Sequence, residues 1–571
     1  MISRFALPII LCAFIVLGIC YSIVVPLGEA PDEVSHFAYV QTLVTQHRLP
    51  ASEGAVSGEA HQAPLYYFIA ALATFWIPQE DFQPINNPDF SFLDRQVPNM
   101  LLHPRGEAFP YRNAVLAWHL ARLLSIAFGA ITVWATFQIA YQVFPAERWL
   151  PITAAGFVAF LPQFVYLSAV VNNDNLVIAL SALSLLVFLR MSQDTPLRRF
   201  VQLGVLLGLA ALTKISAFAL WGAIGLAMLL YQENGAARQR LARIIATFAT
   251  ALGLISPWVI YNWITFGDPI NFTRWLHSIP RTSPMSLSDW IVYGVRMDES
   301  FWGKFGAAHL EMPQLTYWAL NALLIVALIG VILVLRDGRA GKLSSGTRQG
   351  LLTFGLYWIF LEAGHLRGVY ALIGMEQARQ VFAGLPAFAA LLIAGIFRLI
   401  RHQQIPALIL SCGMGLVASA NVSYVASLYA PNPLAMNASS SIPIDFGKQI
   451  RVLYFRVEPQ RVQPGDTVRV QIQWQALNDL TENYWLLFQF VGDNEPVVNR
   501  DAVPGAGRTT TDWWRAGQVF SSHHALVVPD DMAPGVYTLR MGLHPFGKWE
   551  WLPVRGEEML TLDSISITDS P

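Results

Sequence analysis

The chain has 571 residues, 54% of them hydrophobic and only 13% charged, with a formal net charge of −1. Soluble domains average roughly 25% charged residues, so a wholly soluble globular chain is excluded, and near-neutrality gives no footing for nucleic acid or an acidic partner. The three cysteines, Cys12, Cys20 and Cys412, all lie in apolar runs, which excludes a disulfide framework and a cysteine metal site.

The first apolar run, Phe5 to Leu27, reaches the roughly 17–25 residues a helix needs to cross hydrocarbon. It is too long for a signal-peptide core and no small-x-small cleavage site follows, so it reads as a retained span. An outer loop then opens with Gly28-Glu-Ala-Pro-Asp-Glu-Val-Ser-His36. Pro31 suits the first turn of a helix, expected to run through Leu43. On that helix Asp32 and His36 share a face at i,i+4, while Glu33 points about 100° away. An acidic first turn also complements the helix dipole, so spacing alone leaves a structural and a catalytic use open. About 25 residues on, His61-Gln-Ala-Pro-Leu-Tyr-Tyr67 heads an apolar stretch, Pro64 to Pro78, that is too short for a span and suits an interfacial or re-entrant helix. Its Tyr66 and Tyr67 fit interface anchors, and His61 and Gln62 fit a solvated helix start.

Further spans are expected at about 118–144, 149–171, 175–190, 200–213, 215–231, 244–262, 315–335, 350–364, 381–397 and 405–429, which with 5–27 makes eleven. The turn Val171-Asn-Asn-Asp-Asn-Leu176 holds more polar residues than the single Asn or Asp a helix cap needs; the surplus, Asn173 and Asp174 included, suits a ligand. Lys214 interrupts the run from Phe200 to Tyr231. A lysine left at hydrocarbon depth costs about 2.5–3.5 kcal/mol on insertion scales, so two short helices with Lys214 in a polar cavity at their outer turn are expected. Lys214 and Arg379 are both isolated cations at helix ends, where snorkelling is the common use. Asp298-Glu-Ser-Phe-Trp-Gly-Lys-Phe305 mixes aromatic and charged residues, as sugar-binding and interfacial loops both do.

With the N-terminus cytoplasmic, the inside loops carry Arg148; Arg190, Arg198 and Arg199; Arg238, Arg240 and Arg243; Arg336, Arg339, Lys342 and Arg348; and Arg398 and Arg401. That distribution satisfies the positive-inside rule. It puts the 28–117 loop, the Asn172 to Asn175 turn, Lys214, the Trp263 to Pro313 loop, the Glu362 to Arg379 turn and the C-terminal domain together outside.

The expected domains are a membrane domain over 1–430, a linker over 431–449 and a β-sandwich over 450–571. Period-2 strands such as Thr467 to Trp474 and Val536 to Leu543, separated by Gln463-Pro-Gly-Asp466, Gly492-Asp-Asn494 and Ala533-Pro-Gly535, support the last. Its Trp513, Trp514, Trp549 and Trp551 suit either sugar stacking or the core.

Taken in order, these features resemble the GT-C superfamily of membrane glycosyltransferases, and more narrowly bacterial relatives of the protein O-mannosyltransferases and of the aminoarabinose transferase acting on lipid A. The shared layout covers residues 1 to about 430. It comprises Asp32-Glu33 after the first span, Pro64-Leu-Tyr-Tyr67, Arg122-Leu123, Asp174 and Leu212-Thr-Lys214. Asn172-Asn-Asp-Asn175, Phe266-Gly-Asp-Pro269, Ser300-Phe-Trp-Gly303 and Gln377-Ala-Arg379 resemble signatures of bacterial members.

The resemblance implies an all-α, GT-C-like polytopic domain that moves a hexosyl or pentosyl group from a polyprenyl-phosphate donor to an extracytoplasmic hydroxyl or amine on a lipid, glycan or protein. Asp32 would be the general base, with Glu33 and His36 beside it, and Lys214 and Arg379 would hold the departing phosphate. His61, Gln62, Tyr66, Arg122, Asn173 and Asp174 would line the substrate site. The bacterial plasma membrane is the implied location, with the C-terminal domain extracytoplasmic. There are departures. The aminoarabinose transferase has an Arg three residues after its Asp, where Ser35 stands here, and a Glu-Lys before its Pro-Leu-Tyr-Tyr, where His61 and Gln62 stand. His61 with Asp174 supplies two ligands for a divalent metal ion, too few to specify a site. The competing readings are a transporter or flippase of lipid-linked glycans, for which no internal repeat is found, and a non-catalytic envelope protein whose sandwich binds glycans.

Overall fold

The computed structural model describes residues 2–50, 58–80, 83–92, 97–192, 194–230, 237–276, 280–400, 403–430, 443–493 and 495–568. Arg401, Asn494 and the linker residues 431–442 lie outside the described residues. The chain forms two compact units: Met1–Val25, Ala30–Asp81 and Arg112–Val425 make the first, and Pro26–Glu29, Phe82–Tyr111 and Ala426–Pro571 the second.

The first unit is helical. Among the described residues six helices are long and apolar enough to cross a membrane: Phe5–Val24, Asn113–Val143, Ala237–Phe266, Gln314–Arg339, Ala378–Leu399 and Gln404–Tyr429. The chain is a multi-pass membrane protein. The expected span 149–171 is a pair, Leu150–Ala159 and Pro162–Ser168, bent by 61°. Pro162 lacks the N–H that would continue the ladder and pushes Leu161 into an extended conformation, so the helix restarts there. Counting that pair as one span gives seven. The expected 175–190 and 215–231 are shorter apolar helices, Asp174–Leu189 and Ile215–Leu230. The expected 200–213 is Leu197–Ala211, and 350–364 lies inside the longer Ser345–Ala371.

Burial differs sharply between these helices. The apolar window of Ala378–Leu399 is 83% buried, whereas that of Gln404–Tyr429 is 22% buried. Exposed Leu408, Ile409 and Leu416 on the latter give it a face suited to lipid. Where two helices touch most closely, small residues permit it. A Cβ on Gly330 would fall 1.9 Å from the Gly395 carbonyl oxygen, so Gln314–Arg339 and Leu385–Leu399 pack backbone against backbone.

Among the described residues the second unit holds two larger, mainly antiparallel sheets and a two-stranded ribbon, Ile85–Asn86 with Leu101–Leu102. One larger sheet orders its strands Glu495–Ala502, Tyr484–Gly492, Gly535–Pro545, Leu560–Ile567 and Arg461–Val462; the other orders Val519–Val527, Thr467–Ala476, Ile450–Glu458 and Ile444–Phe446. Strict alternation buries Val468, Val470, Ile472 and Trp474 of one sheet in the same core as Leu486, Phe488, Leu539 and Met541 of the other. Of the tryptophans, Trp514 is core and stacks on Phe520 at 4.3 Å, while Trp549 is exposed and stacks on His544 at 4.8 Å.

The second unit also takes in part of the expected first outer loop. Asp89 pairs with buried His524 at 2.8 Å, Asn87 donates to the Ala506 carbonyl at 3.2 Å, and Arg105 donates its N–H to Asp512 at 2.7 Å. These residues carry no strand alternation of their own, so period-based boundaries drawn along the chain pass them over.

Candidate active site

The Gly28–His36 segment builds the site from adjacent carboxylates. The helix begins at Glu33, two residues after Pro31, and runs to Gln46. Asp32 is its N-cap in the left-handed region, φ 60°, with its carbonyl accepting from the His36 N–H at 2.9 Å. Asp tolerates that conformation better than most side chains, yet it still costs on the order of 1–3 kcal/mol. The expected shared face of Asp32 and His36 and the divergence of Glu33 both follow from this helix start.

Glu33 is fully buried. Its carboxylate accepts from Arg122 Nε at 2.7 Å and Nη2 at 2.6 Å, from Trp118 Nε1 at 3.0 Å and from the Val171 N–H at 2.9 Å. Arg122 Nη1 in turn donates to the carbonyls of Ser22 at 2.9 Å and Val25 at 2.7 Å. This fork ties the first helix, the Glu33 helix, Asn113–Val143 and the Val171 turn together, with every charge satisfied by a partner of defined geometry.

Asp32 faces other company. Its Oδ2 accepts from Arg379 Nη2, and Arg379 Nη1 reaches Asp174 Oδ2 at 3.5 Å. Lys214 Nζ binds Asp174 Oδ1 at 2.5 Å and lies 3.5 Å from Gln380 Oε1. Gln377 Oε1 accepts from Arg379 Nε at 2.8 Å, and the Ala378 N–H donates to Ser300 Oγ at 2.9 Å. Four expected site residues, distant in sequence, thus form one chain of ion pairs, Asp32–Arg379–Asp174–Lys214. Lys214 stands in an extended link between the helix ending at Ala211 and the turn starting at Ile215, as expected, and Asp174 is the partner it requires.

Arg379 and Asp174 are buried, whereas 45% of the Asp32 side chain reaches solvent. Burial among packed atoms would raise the Asp32 carboxyl, but Arg379, helped by His36 and Lys214, outweighs it and holds it below its ordinary value. The result is a carboxylate anchored on one oxygen and presented on the other.

A second layer surrounds this chain. His36 Nδ1 meets Tyr67 Oη at 2.7 Å, and Tyr67 stacks on Tyr39 at 3.9 Å. Burial, partly offset by Glu59 and Asp32, pushes the His36 imidazole below its ordinary pKa. Tyr66 Oη meets Ser125 Oγ at 2.8 Å and accepts from the Asn172 N–H at 3.1 Å. Asn173 donates to Gln62 Oε1 and to the Thr213 carbonyl, each at 3.2 Å, and the Leu65 N–H donates to the Leu212 carbonyl at 2.9 Å. The Pro64-Leu-Tyr-Tyr67 element is therefore bonded to both the Asn172 to Asn175 turn and the Lys214 turn.

His61 and Asp174, the possible metal ligands, face other partners. Asp174 has both oxygens on cations, and His61 directs Nδ1 to the Gly58 carbonyl at 3.1 Å. Among the described residues the donors that gather are Asp32, His36 and Glu59. Glu59 was not a sequence candidate, because it lies in a Gly/Ser/Ala stretch with no periodicity. The segment Asp298–Phe305, expected as a loop, is the end of the helix Leu287–Trp302 followed by the short strand Lys304–Phe305; Asp298 accepts from Asn321 at 2.7 Å, and Lys304 pairs with Glu299 and, at 3.3 Å, with Glu311.

Residues 118–261 match the family described as dolichyl-phosphate-mannose-protein mannosyltransferase. No curated protein matches the chain. Among solved structures, ArnT from Cupriavidus metallidurans bound to undecaprenyl phosphate aligns at 14% identity with a TM-score of 0.44, over 74% of this chain and 65% of that one. The arabinofuranosyltransferase AftD from Mycobacteria aligns at 14% identity with a TM-score of 0.40, over 75% of this chain and 27% of that one. The chain thus spans just under two thirds of the ArnT chain and about a quarter of AftD. In residues 118–261, the stretch that carries Arg122, Asn173, Asp174 and Lys214, the chain resembles the dolichyl-phosphate-mannose-protein mannosyltransferases.

Proposed function

We propose that the chain is a glycosyltransferase that takes a sugar from a polyprenyl-phosphate donor and passes it to an acceptor hydroxyl or amine outside the cytoplasm, with Asp32 as general base. The observation that carries this reading is the Asp32–Arg379–Asp174–Lys214 chain, in which two buried cations stand beside a half-exposed carboxylate. The match of residues 118–261 to a family named for a polyprenyl-phosphate sugar supports the donor class.

The chemistry follows from those charges. The acceptor oxygen or nitrogen attacks the anomeric carbon, the bond from that carbon to the phosphate oxygen breaks, and the acceptor's proton passes to Asp32. The polyprenyl phosphate leaves carrying the negative charge that Arg379 and Lys214 are placed to neutralise. A base held below its ordinary pKa by Arg379 takes the proton late, when the acceptor has already become acidic through bond formation. Gln62, Tyr66 and Asn173 hold the turns that bring the cations to Asp32, and Glu33 with Arg122 fixes the helix from which Asp32 projects. The eleven-span topology and an extracytoplasmic β-sandwich belong to the same reading.

Asp32→Asn keeps the shape of the side chain and removes its basicity. A strain carrying only this variant should show the envelope glycans of a deletion strain by mass spectrometry, while membrane insertion and melting of the protein stay near wild type. General base catalysis contributes typically 10²–10⁴-fold, and a loss in that range is expected. Wild-type glycans from the variant would remove Asp32 from its role.

A further inference from the structure

We propose that a basic cleft in the second unit binds an anionic glycan, a stretch of oligosaccharide bearing carboxylate or phosphate groups. The site is independent of the glycosyl-transfer reading, since every residue in it belongs to that unit. The cleft measures about 1340 Å³ and is lined by the strands Ile450–Glu458, Thr467–Ala476 and Val519–Val527, by the segment Asp89–Ser91 and by Arg500. Small-molecule sites run to roughly 300–1,000 Å³, so the space suits a ligand of several units better than a single sugar.

The floor is the solvent side of the four-stranded sheet. Alternation sends Val468, Val470 and Ile472 into the core, so Thr467, Arg469 and Gln471 point outward. Register sets their neighbours: Gln471 lies between His523 and Arg456, and Arg469 lies between Ala525 and Glu458. Arg456 and Arg469 are therefore diagonal neighbours, about 7–8 Å apart, and offer two guanidinium groups along one floor. The strand Thr467–Ala476 is paired on both sides, which occupies its backbone groups. A ligand here is read by side chains, not by strand addition.

Charge selects the ligand. Three arginines and two carboxylates line the cleft, and the carboxylates are the committed groups. Asp89 gives Oδ1 to His524 at 2.8 Å and Oδ2 to the Val503 N–H at 2.9 Å, and Glu458 holds Arg456 at 2.5 Å. Among the described residues Arg469 makes no side-chain hydrogen bond or ion pair. Arg500 spends Nη2 on the Pro88 carbonyl at 2.8 Å, which steadies it and leaves Nε and Nη1 for a ligand. A guanidinium fork matches the paired oxygens of a carboxylate or phosphate. Thr467 and Gln471 beside these cations supply hydroxyl and amide groups for sugar hydroxyls. Phe90, braced edge-on by Phe92 at 5.0 Å, supplies an apolar surface for a sugar ring. That mixture suits a charged glycan better than an acidic peptide, which would use the cations alone.

The test measures binding to the full chain in detergent, with oligogalacturonate as the carboxylate probe and a phosphorylated oligomannoside as the phosphate probe. The wild type should bind at least one of them, the tighter probe naming the anion, and affinity should fall as salt rises. Arg469→Ser and Arg500→Ser should each weaken binding about tenfold or more, the loss of one charge-assisted hydrogen bond. Both side chains are exposed, so melting should stay near wild type. Arg469→Lys should recover only part of the loss, because it keeps the charge without the fork. Lys548→Ser removes an exposed cation outside the cleft and should bind as wild type. Four results overturn the site: no binding of either probe, equal binding of methyl-esterified galacturonate, equal binding of poly-glutamate, or wild-type affinity in both serine variants.

Discussion

Glu29, Asp32 and Glu33 fall within five consecutive residues, and each has a different cation and a different fate. Glu33 meets Arg122 with neither side chain exposed; three donors converge on its Oε1 and Arg122 Nη2 holds its Oε2. Asp32 meets Arg379 with nearly half of its side chain in solvent and one oxygen uncommitted. Both are carboxylate–arginine pairs, so pairing alone does not mark a reactive site. What separates them is access: a buried carboxylate with both oxygens bonded can hold helices together but is closed to a substrate, whereas Asp32 has an oxygen open to solvent. Glu33 stands beside Asp32 as a sequence candidate for the catalytic site; its partners suit it to positioning the helix that follows Asp32.

The largest effect should come from breaking the sealed pair. Arg122→Leu leaves Glu33 charged and buried without its partner, a change that costs about 3–5 kcal/mol, and little folded protein should survive detergent extraction and size-exclusion chromatography. Replacing both, as Glu33→Leu with Arg122→Met, should recover most of the fold, because apolar pairs of similar volume often substitute for buried ion pairs. Normal extraction of Arg122→Leu alone would mean that the pair holds nothing.

The next effect lies at the open pair and should be chemical. Lys214→Met keeps the stem and removes a charge beside Asp174. If Lys214 stabilises the departing phosphate, transfer measured by envelope glycan mass spectrometry should fall about 10²–10³-fold, the range for losing one electrostatic stabiliser. The same variant strips Asp174 of one cation only, since Arg379 remains, so melting should change less than in Arg122→Leu. A large melting shift with intact glycans would reverse the contrast between the two pairs.

Smaller still is Tyr66→Phe. Its hydroxyl bonds Ser125 and the Asn172 N–H, so the variant should lose about 1–3 kcal/mol of thermal stability by leaving buried groups unpartnered. It should leave the charges at Asp32 in place and lower transfer only through the position of the Asn172 to Asn175 turn.

The sequence made half of this legible. Apolar runs mark the long spans, and charge asymmetry placed Lys214 at a break between two short helices with a partner still to be found; Asp174 is that partner. The i,i+4 spacing of Asp32 and His36 and the divergence of Glu33 could be read from helical periodicity. Glu59 could not, because an irregular segment has no period to fix where its side chains meet others. The Tyr66 and Tyr67 hydroxyls were equally illegible: tyrosines at a predicted interface suggest anchoring, and only tertiary packing turns them toward Ser125 and His36. Residues 83–92 and 97–111 carry no signal linking them to strands some 400 positions later, since that link rests on single contacts such as Asp89 with His524.

Glu29, the third carboxylate, offers the mildest test. It is fully buried, accepts the N–H groups of Met100 and Leu101 at 2.9 Å, and binds His103 Nε2 at 2.9 Å, while His103 Nδ1 binds Glu107 at 2.9 Å. Burial alone would depress the His103 imidazole, but Glu107 and Glu29 outweigh it and raise its pKa to about 10. A raised folded-state pKa means that the proton stabilises the fold. The contribution is fully present below the ordinary histidine value, about 6.5, and is lost as pH rises toward 10. Thermal melting of the full chain should therefore weaken between those limits, by at most about 1.4 kcal/mol for each pH unit. His103→Gln should melt lower at pH 6.5 and lose that slope. A wild-type melting curve flat across the window would mean that His103 is neutral, and that Glu29 is held by backbone N–H groups alone, closer to the buried Glu33 than to Asp32.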